Sequence, residues 1–304
     1  MSPIGVFDSG YGGLTILQQL RRQLPERDFI YLGDNARAPY GSRSFDVVYE
    51  FTRQAVMKLF SMGCRLVILG CNTASAKALR TIQQRDLMTA GTLTGTITGT
   101  LNGTITRTTM GTSNLQSPTS NLMEQGYRVL GVIRPTVEVI GSLTKSRHVG
   151  VVATEGTVRS ESYSLEISKF YPDITVTGQA CPLWAAIVEA GESESEGAEF
   201  FVRKRINQLL AKDPLIDTII LGCTHYPLLM NALRKAVPEG VNIVAQGEYV
   251  ARSLEDYLHR HPEIDANCTK GGTIQYFTTE SPERFKECAA MFLHEDINVQ
   301  HIDL

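Results

Sequence analysis

No stretch of the sequence approaches the roughly twenty consecutive apolar residues needed to cross a bilayer. The N-terminus runs from Met1 almost directly into Ile4-Gly5-Val6-Phe7, without the charged, apolar and small-residue regions of a secretory leader. A cytoplasmic protein with no membrane partner is expected. Charge of one sign is also lacking, since 29 Lys and Arg against 32 Asp and Glu leave a formal net charge of -3. That balance offers nucleic acid no global basic field. The Cys-x-x-Cys pair of zinc sites and dithiol redox proteins is absent as well. The six cysteines (Cys64, Cys71, Cys181, Cys223, Cys268 and Cys288) are scattered, so reduced thiols are the default and no metal is expected. Cys64, Cys181 and Cys288 read as small core hydrophobes.

What is present is an ordinary globular composition, 42% hydrophobic and 20% charged, in 304 residues. That length favours two domains over one. Short apolar runs alternate with segments of helical period, the grammar of βα units around a largely parallel sheet. Ile4–Phe7, Phe29–Leu32, Leu66–Leu69, Val129–Ile133, Val149–Val152 and Thr218–Leu221 read as strands. Leu14–Leu24, closed by Pro25, and Phe45–Met62 read as helices. Leu66-Val67-Ile68-Leu69-Gly70-Cys71 and Thr218-Ile219-Ile220-Leu221-Gly222-Cys223 are near copies, and a weaker echo pairs Gly5–Gly10 with Gly150–Gly156. Buried strands converge on Val, Ile and Leu by themselves, but the repeated Gly-Cys is not explained that way. The repeats predict an α/β fold of two pseudo-symmetric, doubly wound parallel-sheet lobes, each presenting a cysteine where a strand ends.

One segment departs from this grammar. Over residues 88–126 the chain is dominated by Thr, Gly and Ser, with the four-residue repeat GTLT, GTIT, GTLN, GTIT from Gly91. Low-complexity polar repeats lack the apolar surface that offsets ordering entropy, so a surface insertion is expected, with disruption of folding or of domain closure as its hazard. The expected organisation is a first lobe of residues 1–87 plus 246–304, the insertion at 88–126, and a second lobe at 127–245.

Ligands of open α/β sheets collect beyond the carboxyl ends of the strands, which here directs attention to Asp8-Ser9, Tyr40-Gly41, Cys71-Asn72-Thr73 and Cys223-Thr224-His225. Asn72, Thr73 and Thr224 at helix starts would suit a carboxylate. The glycines after Asp8 resemble a phosphate-cradling loop but lack the Lys-Ser/Thr ending, so a mononucleotide site is a minor reading. Inverting a stereocentre needs one acid/base group on each face of the substrate, each within about 3 Å of the proton it moves. Two cysteines at matched positions of facing lobes suit that task, with Asp8 and His225 near enough to help set their protonation. No lysine lies in any of the four loops, whereas a pyridoxal enzyme would use a lysine imine. No cofactor is implied.

Asp8-Ser9-Gly10 with Gly12-Gly13-Leu14-Thr15, Pro39-Tyr40-Gly41, Gly70-Cys71-Asn72-Thr73-Ala74-Ser75 and Leu221-Gly222-Cys223-Thr224-His225-Tyr226-Pro227 together resemble the glutamate racemase family, in the same order and at fitting separations. The resemblance covers nearly the whole chain outside the insertion. It implies an active site between the lobes, a C-terminus returning to the first lobe, and L/D-glutamate interconversion without a cofactor that supplies D-glutamate for peptidoglycan. It also implies that Cys71 and Cys223 are the two bases, that Asp8, His225 and Glu189 assist them, that Asp8, Ser9, Tyr40, Gly41, Asn72, Thr73, Thr224 and His225 hold the substrate, and that the protein is a homodimer. The chain departs from the family at Ile133-Arg134-Pro135-Thr136 and at Ala245-Gln246-Gly247, where an Asp-Ser pair is common. Aspartate or a related amino acid as substrate, a binding protein without turnover, and a thiol redox enzyme are the alternative readings.

Overall fold

The computed structural model describes residues 1–88 and 121–304. The expected insertion, apart from its margins, lies outside the described residues. Among the described residues ten strands form two parallel sheets. The first contains β1 (Ile4–Asp8), β2 (Phe29–Gly33), β3 (Leu66–Leu69), β4 (Arg128–Gly131), β9 (Ile274–Thr278) and β10 (Val299–His301), in the order β10-β9-β2-β1-β3-β4. The second contains β5 (His148–Ala153), β6 (Thr175–Ala180), β7 (Thr218–Gly222) and β8 (Asn242–Val244), in the order β6-β5-β7-β8. The order 2-1-3-4 within the first sheet thus recurs in the second. β3 is matched with β7 and β1 with β5, the pairs whose sequences repeat. β1, β2, β3 and β7 are buried along their whole length, as expected of strands covered on both faces.

The helices are α1 (Gly13–Gln23), α2 (Phe45–Ser61), α3 (Asn72–Lys77), α4 (Leu79–Thr81), α5 (Ile133–Leu143), α6 (Glu155–Arg159), α7 (Ser162–Phe170), α8 (Trp184–Glu189), α9 (Glu196–Lys212), α10 (Met230–Ala236), α11 (Gly247–Arg260), α12 (Pro262–Asp265) and α13 (Pro282–Leu293). α1 buries Leu14, Ile16, Leu17 and Leu20 on one face, which is the amphipathic spacing read from the sequence. Each such side chain contributes roughly 1.5–3 kcal/mol when removed from water.

Two expectations need correction. The second lobe does not begin at residue 127 as expected, because β4 pairs in register with β3 through Leu66↔Arg128 to Leu69↔Gly131 and so completes the first sheet. Ile133, read as the end of a strand, instead opens α5. Pro135 is no obstacle there, because first-turn N–H groups have no intrahelical acceptor to lose.

The crossovers exchange helices. α5 leaves the first sheet but buries Ile133, Val137 and Ile140 among Val149, Val151, Ile167 and Ile220 of the second lobe. α11 leaves the second sheet, lies along α1, and buries Val250, Ala251, Leu254 and Leu258 in the first lobe's core. The carboxyl ends of β1, β3 and β7 therefore meet at one interlobe cleft. No helix among the described residues is long and apolar enough to cross a membrane.

Candidate active site

Cys71 follows β3 after Gly70 and Cys223 follows β7 directly, and both are buried, with exposures of 6% for Cys71 and 7% for Cys223. Cys71 is the N-cap of α3: its Sγ accepts from the Ala74 N–H at 3.4 Å, and Ser9 Oγ lies 3.2 Å from the same sulfur. Burial pushes the Cys71 thiol up to about 12, with nearby Asp8 adding to the rise, Ser9 and Ala74 opposing it, and Cys223 contributing from across the cleft. These surroundings favour the thiol form of Cys71 at neutral pH.

Cys223 has a different partner. Its Sγ lies 3.8 Å from His225 Nδ1, and His225 Nε2 is 2.8 Å from Glu189 Oε1 at the end of α8. Burial by itself pulls His225 down, but the hydrogen bonds to Cys223 and Glu189 outweigh it and raise the imidazole to about 10. The ring is also held edge-on against Phe292 of α13, with centroids 5.7 Å apart. His225 thus forms a proton-holding link between the sulfur and the surface, where the Glu189 side chain is 38% exposed.

Asp8, at the end of β1, is 1% exposed. Its Oδ2 accepts from the Gly10 N–H at 2.9 Å, while Oδ1 has no hydrogen-bond partner among the described residues. Burial raises its pKa, with the His225 charge the chief opposing influence. A buried carboxylate oxygen without a donor costs stability, and an ammonium group would satisfy it.

The remaining predicted residues fall into three groups. Thr224 and His225 close against the first lobe's Gly12, and Thr15 Oγ1 lies 3.0 Å from the Thr224 carbonyl oxygen. Thr73 Oγ1 meets Thr154 Oγ1 at 2.9 Å and Thr157 Oγ1 at 3.3 Å across the lobes, and the Gly41 carbonyl accepts from the Gly156 N–H at 2.8 Å. Tyr40 and Asn72, by contrast, have side chains already engaged. The Tyr40 hydroxyl donates to Asp34, itself held by Arg37 at 2.7 Å and Thr279 at 2.9 Å, and its ring packs on Phe7 and Phe51. Asn72 donates to Gln246 and accepts from Tyr163.

Thr154, Thr157, Tyr163 and Gln246 were not identified as site residues from sequence. The echo of β1 in β5 directs attention to Thr154, and the departure at Ala245-Gln246-Gly247 to Gln246. Their partners lie 81 to 174 residues away in the chain, beyond any local pattern.

A cavity of about 270 Å³ adjoins Cys223, Thr224 and Gln246, lined otherwise by residues such as Gln19, Glu248 and Phe292. It reaches neither Asp8 nor Cys71. Among the described residues no three His, Cys, Asp or Glu side chains are grouped to hold a metal ion.

The Asp/Glu/Hydantoin racemase family pattern matches residues 128–254. Over nearly its full length the chain is similar to the glutamate racemase of Ruegeria sp. (strain TM1040), with 36% identity covering 98% of both chains. In three dimensions it is similar to a glutamate racemase isoform from Bacillus anthracis, with a TM-score of 0.80, 31% identity, and coverage of 100% of this chain and 98% of that one. It is also similar to the glutamate racemase of Francisella tularensis crystallised with D-glutamate, with a TM-score of 0.79, 28% identity, and coverage of 99% and 97%. The chain belongs to the glutamate racemase family.

Proposed function

We propose that the protein is a glutamate racemase in which Cys71 and Cys223 exchange the α-proton from opposite faces of the substrate. The observation that carries this reading is the pair of buried thiols at equivalent strand ends of two facing lobes, each with its own acid/base surroundings. In one direction a Cα–H bond breaks to one sulfur and the opposite thiol delivers its proton to the other face; the reverse reaction exchanges the roles. His225, bridged to Glu189, relays the proton of Cys223. The free Oδ1 of Asp8 offers the substrate ammonium an acceptor, and the added positive charge favours thiolate formation at Cys71 against the burial that now opposes it. Because both sulfurs are buried, substrate entry requires the lobes to part. The family resemblance further supports supply of D-glutamate for peptidoglycan by a cytoplasmic homodimer.

The test is incubation with L-glutamate in heavy water, without added cofactor, following α-deuterium and optical activity, with aspartate in parallel. Loss of optical activity at the rate of deuterium incorporation is expected with glutamate. Tight binding with no exchange would leave a binding protein instead. Since the two enantiomers are equal in free energy, kcat/KM must be equal in the two directions, an internal check on the rates.

Glu189→Gln keeps an acceptor oxygen but removes the negative charge that, with the Cys223 contact, keeps His225 protonated, so its pKa should fall from about 10 towards the ordinary histidine range. We expect the alkaline limb of the kcat/KM profile to move to lower pH, with a loss of about tenfold near neutrality. The sign for stability is the same. His225 holds its proton more tightly folded than unfolded, so its contribution is full below the unfolded value near 6.5 and is lost as pH rises to about 10. An alkaline limb unmoved by Glu189→Gln would exclude the relay.

A further inference from the structure

Gln246, Tyr163 and Asn72 close a ring of hydrogen bonds between the two cysteine turns. All three are buried, with exposures of 3%, 4% and 2%. Gln246 Nε2 donates to the Tyr163 hydroxyl at 2.7 Å, Tyr163 donates to Asn72 Oδ1 at 2.7 Å, and Asn72 Nδ2 donates to Gln246 Oε1 at 2.8 Å. Each side chain gives one hydrogen bond to the ring and takes one from it.

The direction of the ring is fixed from outside it. Gln246 Nε2 also reaches the Val132 carbonyl at 3.1 Å and Thr136 Oγ1 at 3.3 Å. A carbonyl only accepts, so the nitrogen of Gln246 must face Val132 and its oxygen must face Asn72. Asn72 then has to present its nitrogen to Gln246 and its oxygen to Tyr163, whose hydroxyl must donate. One main-chain acceptor thereby sets all three orientations.

The ring stands where the crossovers meet. Val132 and Thr136 lie at the start of α5, Gln246 immediately precedes α11, Tyr163 is on α7, and Asn72 opens α3 directly after Cys71. On the opposite side the Tyr163 ring abuts the turn before Cys223, since a Cβ on Gly222 would lie 3.2 Å from its Cε2. The ring therefore includes the residue after Cys71 and, through Tyr163, abuts the residue before Cys223.

We infer that Gln246 is a positioning residue for the racemisation reaction: through Tyr163 and Asn72 it holds the Cys71 and Cys223 turns in register for proton transfer. The inference rests on the two-thiol reading above. It assigns Gln246 and Tyr163 no contact with substrate and no proton of their own. Near-attack geometry is steep in distance, with misplacement by about 1 Å costing on the order of a hundredfold in rate, so a residue that sets the separation of two bases acts chiefly on the chemical step.

The test uses the full-length protein and three variants, Gln246→Leu, Tyr163→Phe and the double mutant. Tyr163→Phe keeps the ring stacked on Gly222 and removes only the hydroxyl, so it reports on the network even where Gln246→Leu does not fold. For each, kcat, KM for glutamate, the α-deuterium isotope effect and the thermal midpoint are measured. We expect Gln246→Leu to lower kcat by about ten- to a hundredfold with KM changed less than about threefold, and to raise the isotope effect on kcat. Tyr163→Phe should do the same to a lesser degree. The double mutant should be no slower than the slower single mutant, because the side chains act as one unit. Variants with a lowered midpoint but unchanged kcat and isotope effect would make the ring merely structural and overturn the inference. So would losses that multiply in the double mutant. A wild-type protein inactive on glutamate would overturn the functional reading and this inference together, whereas active wild type with unaffected variants would overturn the inference alone.

Discussion

Replacing Cys71 or Cys223 singly by alanine is expected to abolish racemisation, lowering kcat by on the order of 10⁴-fold, while leaving one-sided proton exchange. The remaining thiol still faces one side of Cα. In heavy water it can remove a proton from one enantiomer and return solvent deuterium to the same face, so that enantiomer gains deuterium without losing optical activity. The other enantiomer presents its hydrogen to an alanine and should stay unlabelled. The two variants should therefore show opposite enantiomer preferences for exchange. Their surroundings predict a further difference: the reaction left to Cys223 keeps the His225–Glu189 link, whereas that left to Cys71 depends on Ser9, Asp8 and the Ala74 N–H. Deletion of a small buried side chain opens little volume, so thermal midpoints should stay close to wild type and loss of fold should not imitate loss of chemistry. Racemisation by either variant at an appreciable rate would end the two-thiol scheme.

The second large effect is expected at Gly12. Its backbone is ordinary right-handed helical, with φ -58° and ψ -33°, so alanine brings no dihedral strain. What it brings is a collision: a Cβ there would lie 2.3 Å from Thr224 Oγ1 and 2.4 Å from His225 Nδ1. These belong to residues 5% and 7% exposed on the opposite lobe, and His225 is held from behind by Glu189 and Phe292. The lobes must separate or His225 must leave Cys223. We expect Gly12→Ala to cost about 1–3 kcal/mol of stability and on the order of a hundredfold in kcat/KM, read by thermal denaturation and steady-state rates. Gly197 in α9 is the contrasting case, since a Cβ there meets only Ser195 Oγ, at 3.5 Å. Gly197→Ala should be neutral or stabilise by up to about 0.5–1 kcal/mol, with activity unchanged. A harmless Gly12→Ala would mean that the interlobe contact is looser than described here.

Sequence reading located β1, β2, β3, β5 and β7 to within a residue or two because these strands are buried throughout, save the first residue of β5, and announce themselves as apolar runs. It missed β6, β8, β9 and β10, which are partly exposed or only three residues long. The strand at Arg128–Gly131 was found, but its sheet was not, because which neighbour a strand pairs with is decided by residues some sixty positions away.

By itself the sequence determined the two-lobed parallel architecture and the placement of two cysteines at equivalent strand ends. These follow from signals a few residues long: apolar runs, a glycine before a cysteine, a helix start after it. Only the tertiary structure decided that Asn72 is locked by Gln246 and Tyr163, that the Tyr40 hydroxyl is held by Asp34, and that α5 and α11 cross to opposite lobes. The physical reason is that a buried polar group must find a partner wherever the fold supplies one, and here the partners of Asn72 come from 91 and 174 residues further along the chain.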